Sequence, residues 1–138
     1  MANRELIQLL NQAIELELQA YLQFTYQSLK LTGLGNLALK EMLEEEGQAE
    51  LGHARTLAER VFALGGEPSQ KVPPVKIGNT ATEMIKLNIA REEQAIALYR
   101  KIVRKLRHKE GTELVYYEVL KILGDELEDL EEYEALLG

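Results

Sequence analysis

Glu50 and His53 stand three residues apart in "ELGH", and Glu126 and Asp129 repeat that spacing in "ELED". On a helix, residues three apart share a face, so each pair can aim two metal-binding groups at one point. Glu17 and Glu92 are acids of another kind, each alone in the middle of an apolar stripe. An ionised carboxylate on a core-facing stripe is costly unless something compensates it. Divalent cations would do so, and two of them supply four positive charges. Oxygen ligands with one imidazole suit iron or manganese, and zinc is possible. The alternative is that these are surface acids on solvated helix faces.

Positioning such groups requires helices, and the chain reads as four: 3–31, 36–64, 80–108 and 112–137. All three prolines, Pro68, Pro73 and Pro74, fall in one segment between Gly65 and Asn79, which reads as a long connection. Weaker breaks lie at "LTGLGN" and "RHKEGT", where Asn36 and Thr112 are expected to cap the helices that follow. Short turns make helices 1 and 2 antiparallel, and likewise helices 3 and 4. About 14 extended residues reach roughly 45 Å, enough to run the ~42 Å length of a ~28-residue helix. The proline-rich segment is therefore expected to cross over, leaving helices 2 and 3 parallel. The expected fold is an all-α four-helix bundle with a long crossover.

Each helix carries an acid in mid-stripe, at Glu17, Glu50, Glu92 and Glu126. In an antiparallel pair, residues equidistant from the turn lie level. The midpoint of Glu17 and Glu50 is 33.5, inside "TGLG", and that of Glu92 and Glu126 is 109, inside "RHKEG". Counted from their helix starts, Glu50 and Glu92 lie at similar depth. All four glutamates are expected in one layer. One Glu from each of two helices plus a Glu-x-x-ligand pair from each of the other two is a known two-metal arrangement of bundle proteins. On this reading Glu50 and Glu126 would bridge two metals, Glu17 and His53 would complete one, and Glu92 and Asp129 the other.

At these residues the chain resembles the ferritin-like superfamily, most closely its bacterioferritin branch. The resemblance runs through "LNQAIELELQAYLQF", "EEEGQAELGHARTLAERVFALGGEP", "AREEQAI" and "ILGDELEDLEE". It implies di-iron ligands at Glu17, Glu50, His53, Glu92 and Glu126, and oxidation of Fe(II) by O2 or H2O2. Three departures qualify it. The methionine that ligates haem in bacterioferritins is here Leu51, so no haem is expected. The chain stops after helix 4, without the fifth helix of 24-subunit cages, so a dimer is expected more readily than a storage cage. Asp129 stands where the second Glu-x-x-His has histidine.

Composition narrows the function classes. The net charge of −7 argues against nonspecific nucleic-acid binding. With no cysteine, disulfides and thiolate chemistry are excluded. There is no apolar run long enough for a membrane span and no secretory signal pattern, so a cytoplasmic location is expected. Glu46, one turn before Glu50, is either a relay for incoming Fe(II) or a solvated rim acid. Tyr21 and Tyr99 are expected to be packing residues near the ligands, and His108 is assigned no role. Gly47, Gly52 and Gly124 are helical glycines that would make room for metal, oxidant or a close helix. Asp125, Glu128, Glu131 and Glu132 are expected to be solvated. A second apolar stripe on helix 1 (Ile7, Ile14, Leu18, Leu22, Leu29) suggests burial against another subunit. The rival reading, from another class, is a metal-free or zinc-bound helical dimer serving as an interaction module.

Overall fold

The computed structural model describes residues 2–138. Four helices make up the chain: α1 (Ala2–Lys30), α2 (Leu37–Ala63), α3 (Ala81–Leu106) and α4 (Glu113–Leu137). A short 3₁₀ turn, Leu34–Asn36, precedes α2, and no strand occurs among the described residues. The fold is all-α, a four-helix bundle with a long crossover between α2 and α3, as the loop lengths require. α1 packs on α2 and α3, and α4 on α3 and α2.

The crossover runs beside α1 for most of its length. Asn11 donates to the Glu67 carbonyl, Gln19 to that of Pro74, Gln27 to that of Ile77, and Lys30 to that of Gly78. Contacts that rise together in both segments mean that the segment travels with α1, from the end of α2 back to the start of α3. Proline suits this strand-like path, which forms no ladder and so needs few backbone donors.

The helix ends use different devices from those expected. Neither Asn36 nor Thr112 makes a side-chain cap. Asn36 instead donates its amide back to the Thr32 carbonyl, and the Thr112 hydroxyl donates to the Lys109 carbonyl. Both side chains thus close the preceding turn and do not receive the next helix. The true cap is Thr80, whose hydroxyl accepts from the Glu83 amide at 3.1 Å, while Glu83 accepts from the Asn79 amide. α2 ends in a Schellman turn: the Gly66 amide bonds the Val61 carbonyl, with Gly65 at φ +88°.

The apolar core is split in two. One cluster joins Leu10, Ala13, Leu57, Val61, Ile102 and Val119, and the other joins Ala20, Phe24, Leu43, Met84 and Tyr133. The gap between them falls at the level of Glu17, Glu50, Glu92 and Glu126, all of them fully buried. Two dry layers, each large buried side chain contributing ~1.5–3 kcal/mol, enclose a polar one.

Candidate metal centre

Helical phase carries all four glutamates inward from four different helices. Their carboxylates, with His53 and Asp129, form two overlapping groups. Glu17, Glu50, His53 and Glu126 make one, and Glu50, Glu92, Glu126 and Asp129 the other, the ligand atoms within each lying within 4.8 Å of one another. Glu50 and Glu126 are common to both. The six side chains singled out by spacing therefore meet at one place.

His53 is oriented from both sides. Its Nδ1 lies 2.9 Å from Glu17 Oε2 and 3.3 Å from Glu126 Oε1, while its Nε2 donates to Asp125 Oδ2 at 2.9 Å. Burial opposes the imidazolium, but the facing Glu126, Glu17 and Glu50 carboxylates outweigh it and raise the pKa well above the usual value. Asp125, expected to be merely solvated, is indeed exposed, yet it holds the outer nitrogen of His53. That leaves Nδ1 as the atom facing the cluster.

The centre also contains a residue that the spacing did not single out. Arg91, buried in α3, extends its guanidinium among the glutamates. Nη2 donates to Glu17 Oε1 at 2.7 Å and to the Leu16 carbonyl at 2.9 Å. Nη1 donates to Glu92 Oε1 at 3.1 Å and to Glu126 Oε2 at 3.0 Å. Glu50 Oε2 is 3.5 Å from Nη2. Burial works against this cation, but the Glu17, Glu50, Glu126 and Glu92 charges raise its pKa far beyond its already high value. A cue was present, because Asn88, Arg91 and Ala95 follow one another at helical spacing beside the Glu92 stripe. A basic side chain next to an acidic one ordinarily reads as a solvated pair.

Even with Arg91 and His53 in place, the carboxylates are under-satisfied. Both oxygens of Glu50, Oε2 of Glu92 and Oε1 of Glu126 are buried without a hydrogen-bond donor. Buried orphan acceptors are costly and rare. Here they converge, with an imidazole nitrogen among them, which is the donor set that hard divalent cations take. The residues fit a pair of such ions. In the protein alone the strain shows as shifted acidities. Glu50 is raised by burial and by the Glu17 charge, and Glu92 by burial and by the adjacent Glu126 carboxylate. Burial opposes ionisation of Glu126 too, but Arg91 outweighs it and holds that carboxylate low. Asp129 is pushed up to about 7 by burial and by Glu126.

Other expectations change in detail. Glu46 is not a solvated rim acid: it is 8% exposed, accepts from the Tyr133 hydroxyl, and leaves Oε1 without a partner. It forms a third acidic group with Asp129 and Glu132. Tyr99 is fully buried with an unpartnered hydroxyl, whereas Tyr21 is half-buried. Of the three helical glycines only Gly47 meets another helix, where a Cβ would lie 3.0 Å from Thr25 Oγ1; Gly52 and Gly124 face open space. His108, with φ 64°, simply turns the chain between α3 and α4.

Known proteins share this fold. The ferritin-like domain family matches residues 7–138. Bacterioferritin from Rhodobacter capsulatus is 34% identical over 99 residues, a stretch covering 70% of this chain and 60% of that protein. Bacterioferritin from Mycobacterium leprae is 27% identical over 136 residues, 97% of this chain and 84% of that protein. The crystal structure of a ferritin-like, diiron-carboxylate protein from Bacillus anthracis superposes with a TM-score of 0.93 at 29% identity, covering 100% of this chain and 99% of that one. The Rhodobacter capsulatus bacterioferritin structure, described as having a metal-free dinuclear site and haem iron, gives 0.89 at 26% identity, covering 96% of this chain and 82% of that one. The family match spans nearly all of α1 and the whole of the other three helices that build the cluster, so the chain belongs to the ferritin-like domain family.

Proposed function

We propose that this protein binds two iron ions at the Glu17, Glu50, His53, Glu92, Glu126 and Asp129 cluster and oxidises Fe(II) with O2 or H2O2. One observation carries this: two four-residue ligand groups that share Glu50 and Glu126. When bound, a pair of iron ions supplies the electrons that reduce the oxidant. The protein's own part is to hold the ligands in place before metal arrives. Glu50 and Glu126 present carboxylates to both positions, His53 and Glu17 serve the first, and Glu92 and Asp129 the second. Asp125 fixes the imidazole so that Nδ1 faces inward. The apolar layers above and below exclude water from the remaining faces.

Haem is not part of this reading, because Leu51 offers no sulphur to ligate it. Titration with haemin should produce no Soret band of a protein-bound complex. A homodimer or larger homo-oligomer is supported by the outer face of α1 and α2. There a groove of about 550 Å³ is lined by Ile14, Leu18, Leu51, Ala54 and Ala58. A cytoplasmic location completes the reading. Among the described residues no helix is long and apolar enough to cross a membrane.

The deciding experiment is elemental analysis of protein purified without chelators, followed by anaerobic Fe(II) loading and measurement of O2 and H2O2 consumption. Two metals per chain and oxidant consumption are expected, both lost in Glu50→Ala. One observation favours the rival, a metal-free or zinc-bound helical interaction module: Arg91 already neutralises part of the cluster. Protein that holds no iron and consumes no oxidant would establish that rival.

A further inference from the structure

We propose that Arg91 is a built-in cation of the centre, whose charge offsets that of Asp129 and whose guanidinium stays in place when metals bind. The proposal rests on the dinuclear reading above. It begins from how the guanidinium divides the carboxylate oxygens. Arg91 takes Oε1 of Glu17, Oε1 of Glu92 and Oε2 of Glu126. The opposite oxygens, Glu92 Oε2 and Glu126 Oε1, have no donor, and Glu17 Oε2 faces His53. Arg91 thus holds each of these three carboxylates by one oxygen and leaves the other turned to the cluster. It supports the ligands without using up their binding atoms. A fork with five fixed donors can do this, and a flexible ammonium cannot do it as well.

The guanidinium is also anchored outside the ligand set. Nη2 donates to the backbone carbonyl of Leu16, and the side chain is 5% exposed between α1 and α3. Swinging out would give up that bond and open the contact between α3 and α1. The cation is therefore permanent.

Charge balance shows what it does. Glu17, Glu50, Glu92, Glu126 and Asp129 carry five negative charges when ionised, and two divalent ions carry four positive ones, which leaves −1. Counting Arg91 brings the metal-loaded centre to zero. With histidine at position 129 and no arginine, the balance would also be zero. The arginine at 91 thus compensates for the aspartate at 129, and the −1 left by the ligands alone is cancelled by a neighbour on α3. Asp129 is not touched by Arg91, so the compensation acts through the field of the whole cluster, which low local dielectric makes strong.

The test uses Co(II), whose d–d absorption reports coordination without turnover, together with melting of the chelated protein. Arg91→Gln should bind Co(II) about tenfold or more tightly and melt lower when metal-free, because a buried counter-charge is gone. Arg91→Lys keeps the charge without the fork, so its affinity should lie between the two and closer to the original protein than to Arg91→Gln. Asp129→His alone should weaken Co(II) binding, and the Arg91→Gln/Asp129→His double variant should return to within about threefold. If Arg91→Gln folds only with metal, its affinity is read by chelator competition, and that dependence itself supports the proposal. Arg91→Gln binding no more tightly, Arg91→Lys behaving like Arg91→Gln, or Arg91→Gln failing to fold with or without metal would each overturn it in favour of a packing role. Failure of the original protein to take up any metal sinks the function instead, and the metal-free melting of the Arg91 variants still judges the cation.

Discussion

At the scale of single residues, the centre depends on groups that bind nothing themselves. Asp125 is the clearest case. It is 60% exposed and one residue before Glu126, yet its bond to His53 Nε2 fixes which ring nitrogen faces the carboxylate cluster. Asp125→Asn keeps the size but gives up the carboxylate, so we expect metal affinity to fall by about 10-fold or more with the fold intact. Isothermal titration with Mn(II) or Co(II) checks this, and unchanged affinity would mean that His53 needs no outer partner. The six converging side chains could be picked out in the sequence because metal chemistry restricts residue types and the helix fixes their spacing. Arg91 and Asp125 could not be singled out in the same way. An arginine or aspartate beside a buried glutamate is chemically unremarkable until its rotamer is known, and only the three-dimensional arrangement showed that one reaches in and the other reaches across. Glu46 stayed open between a relay and a solvated rim acid for a related reason. Acid-rich surroundings suggested solvent, whereas Phe24, Leu43 and Tyr133 close over that end of the bundle.

At the scale of elements, the four helices and the crossover follow from period and from loop length, and these survive errors of a residue or two. The caps were less legible. Asn36 and Thr112 have the right chemistry for helix starts, but each had an equally good local carbonyl behind it and took that bond instead. The helical glycines make the same point quantitatively. Gly124 is exposed, and a Cβ there meets nothing within 4 Å. Gly124→Ala should therefore stabilise by up to about 1 kcal/mol through helix propensity alone. At Gly47 the added methyl would press on Thr25 Oγ1 at 3.0 Å. We expect Gly47→Ala to gain less than Gly124→Ala, because Thr25 must shift where α1 packs on α2. Chemical denaturation of the two variants side by side would decide it. A larger gain at Gly47 would mean that the helices have slack there. Their close approach, and not the metal, is what Gly47 serves.

At the scale of the whole molecule, the bundle encloses a polar layer that is incomplete without metal, and this should govern stability as pH changes. In the metal-free protein Asp129 titrates at about 7 against an ordinary 3.8, and Glu46 at about 9 against 4.5, both raised chiefly by burial. For Glu46 the neighbouring Asp129 and Glu132 charges add to burial, and the Tyr133 hydroxyl opposes it. A carboxyl whose folded pKa is raised gives stability that is full below its unfolded value and is lost as pH climbs to the folded one. For Asp129 that window is pH 3.8 to about 7, and for Glu46 it is 4.5 to about 9. Glu50 and Glu92 shift the same way. His53, also raised, gives stability that is full below 6.5 and declines above it. Within the buried cluster Glu126 runs the other way, its depressed pKa costing stability as pH falls below the ordinary carboxylate range. The metal-free protein should thus melt highest near pH 5 and lower at pH 7 and 9, losing at most ~1.4 kcal/mol per pH unit for each proton held only in the folded state. Glu46→Gln should flatten part of that slope. Metal reverses the logic, since bound cations keep the ligands ionised and release their protons. Metal at a hundredfold excess over its Kd adds ~2.7 kcal/mol. The melting difference between Mn(II)-loaded and chelated protein should therefore widen from pH 5 to pH 8. Parallel curves across that range would mean that metals do not bind at the buried carboxylates.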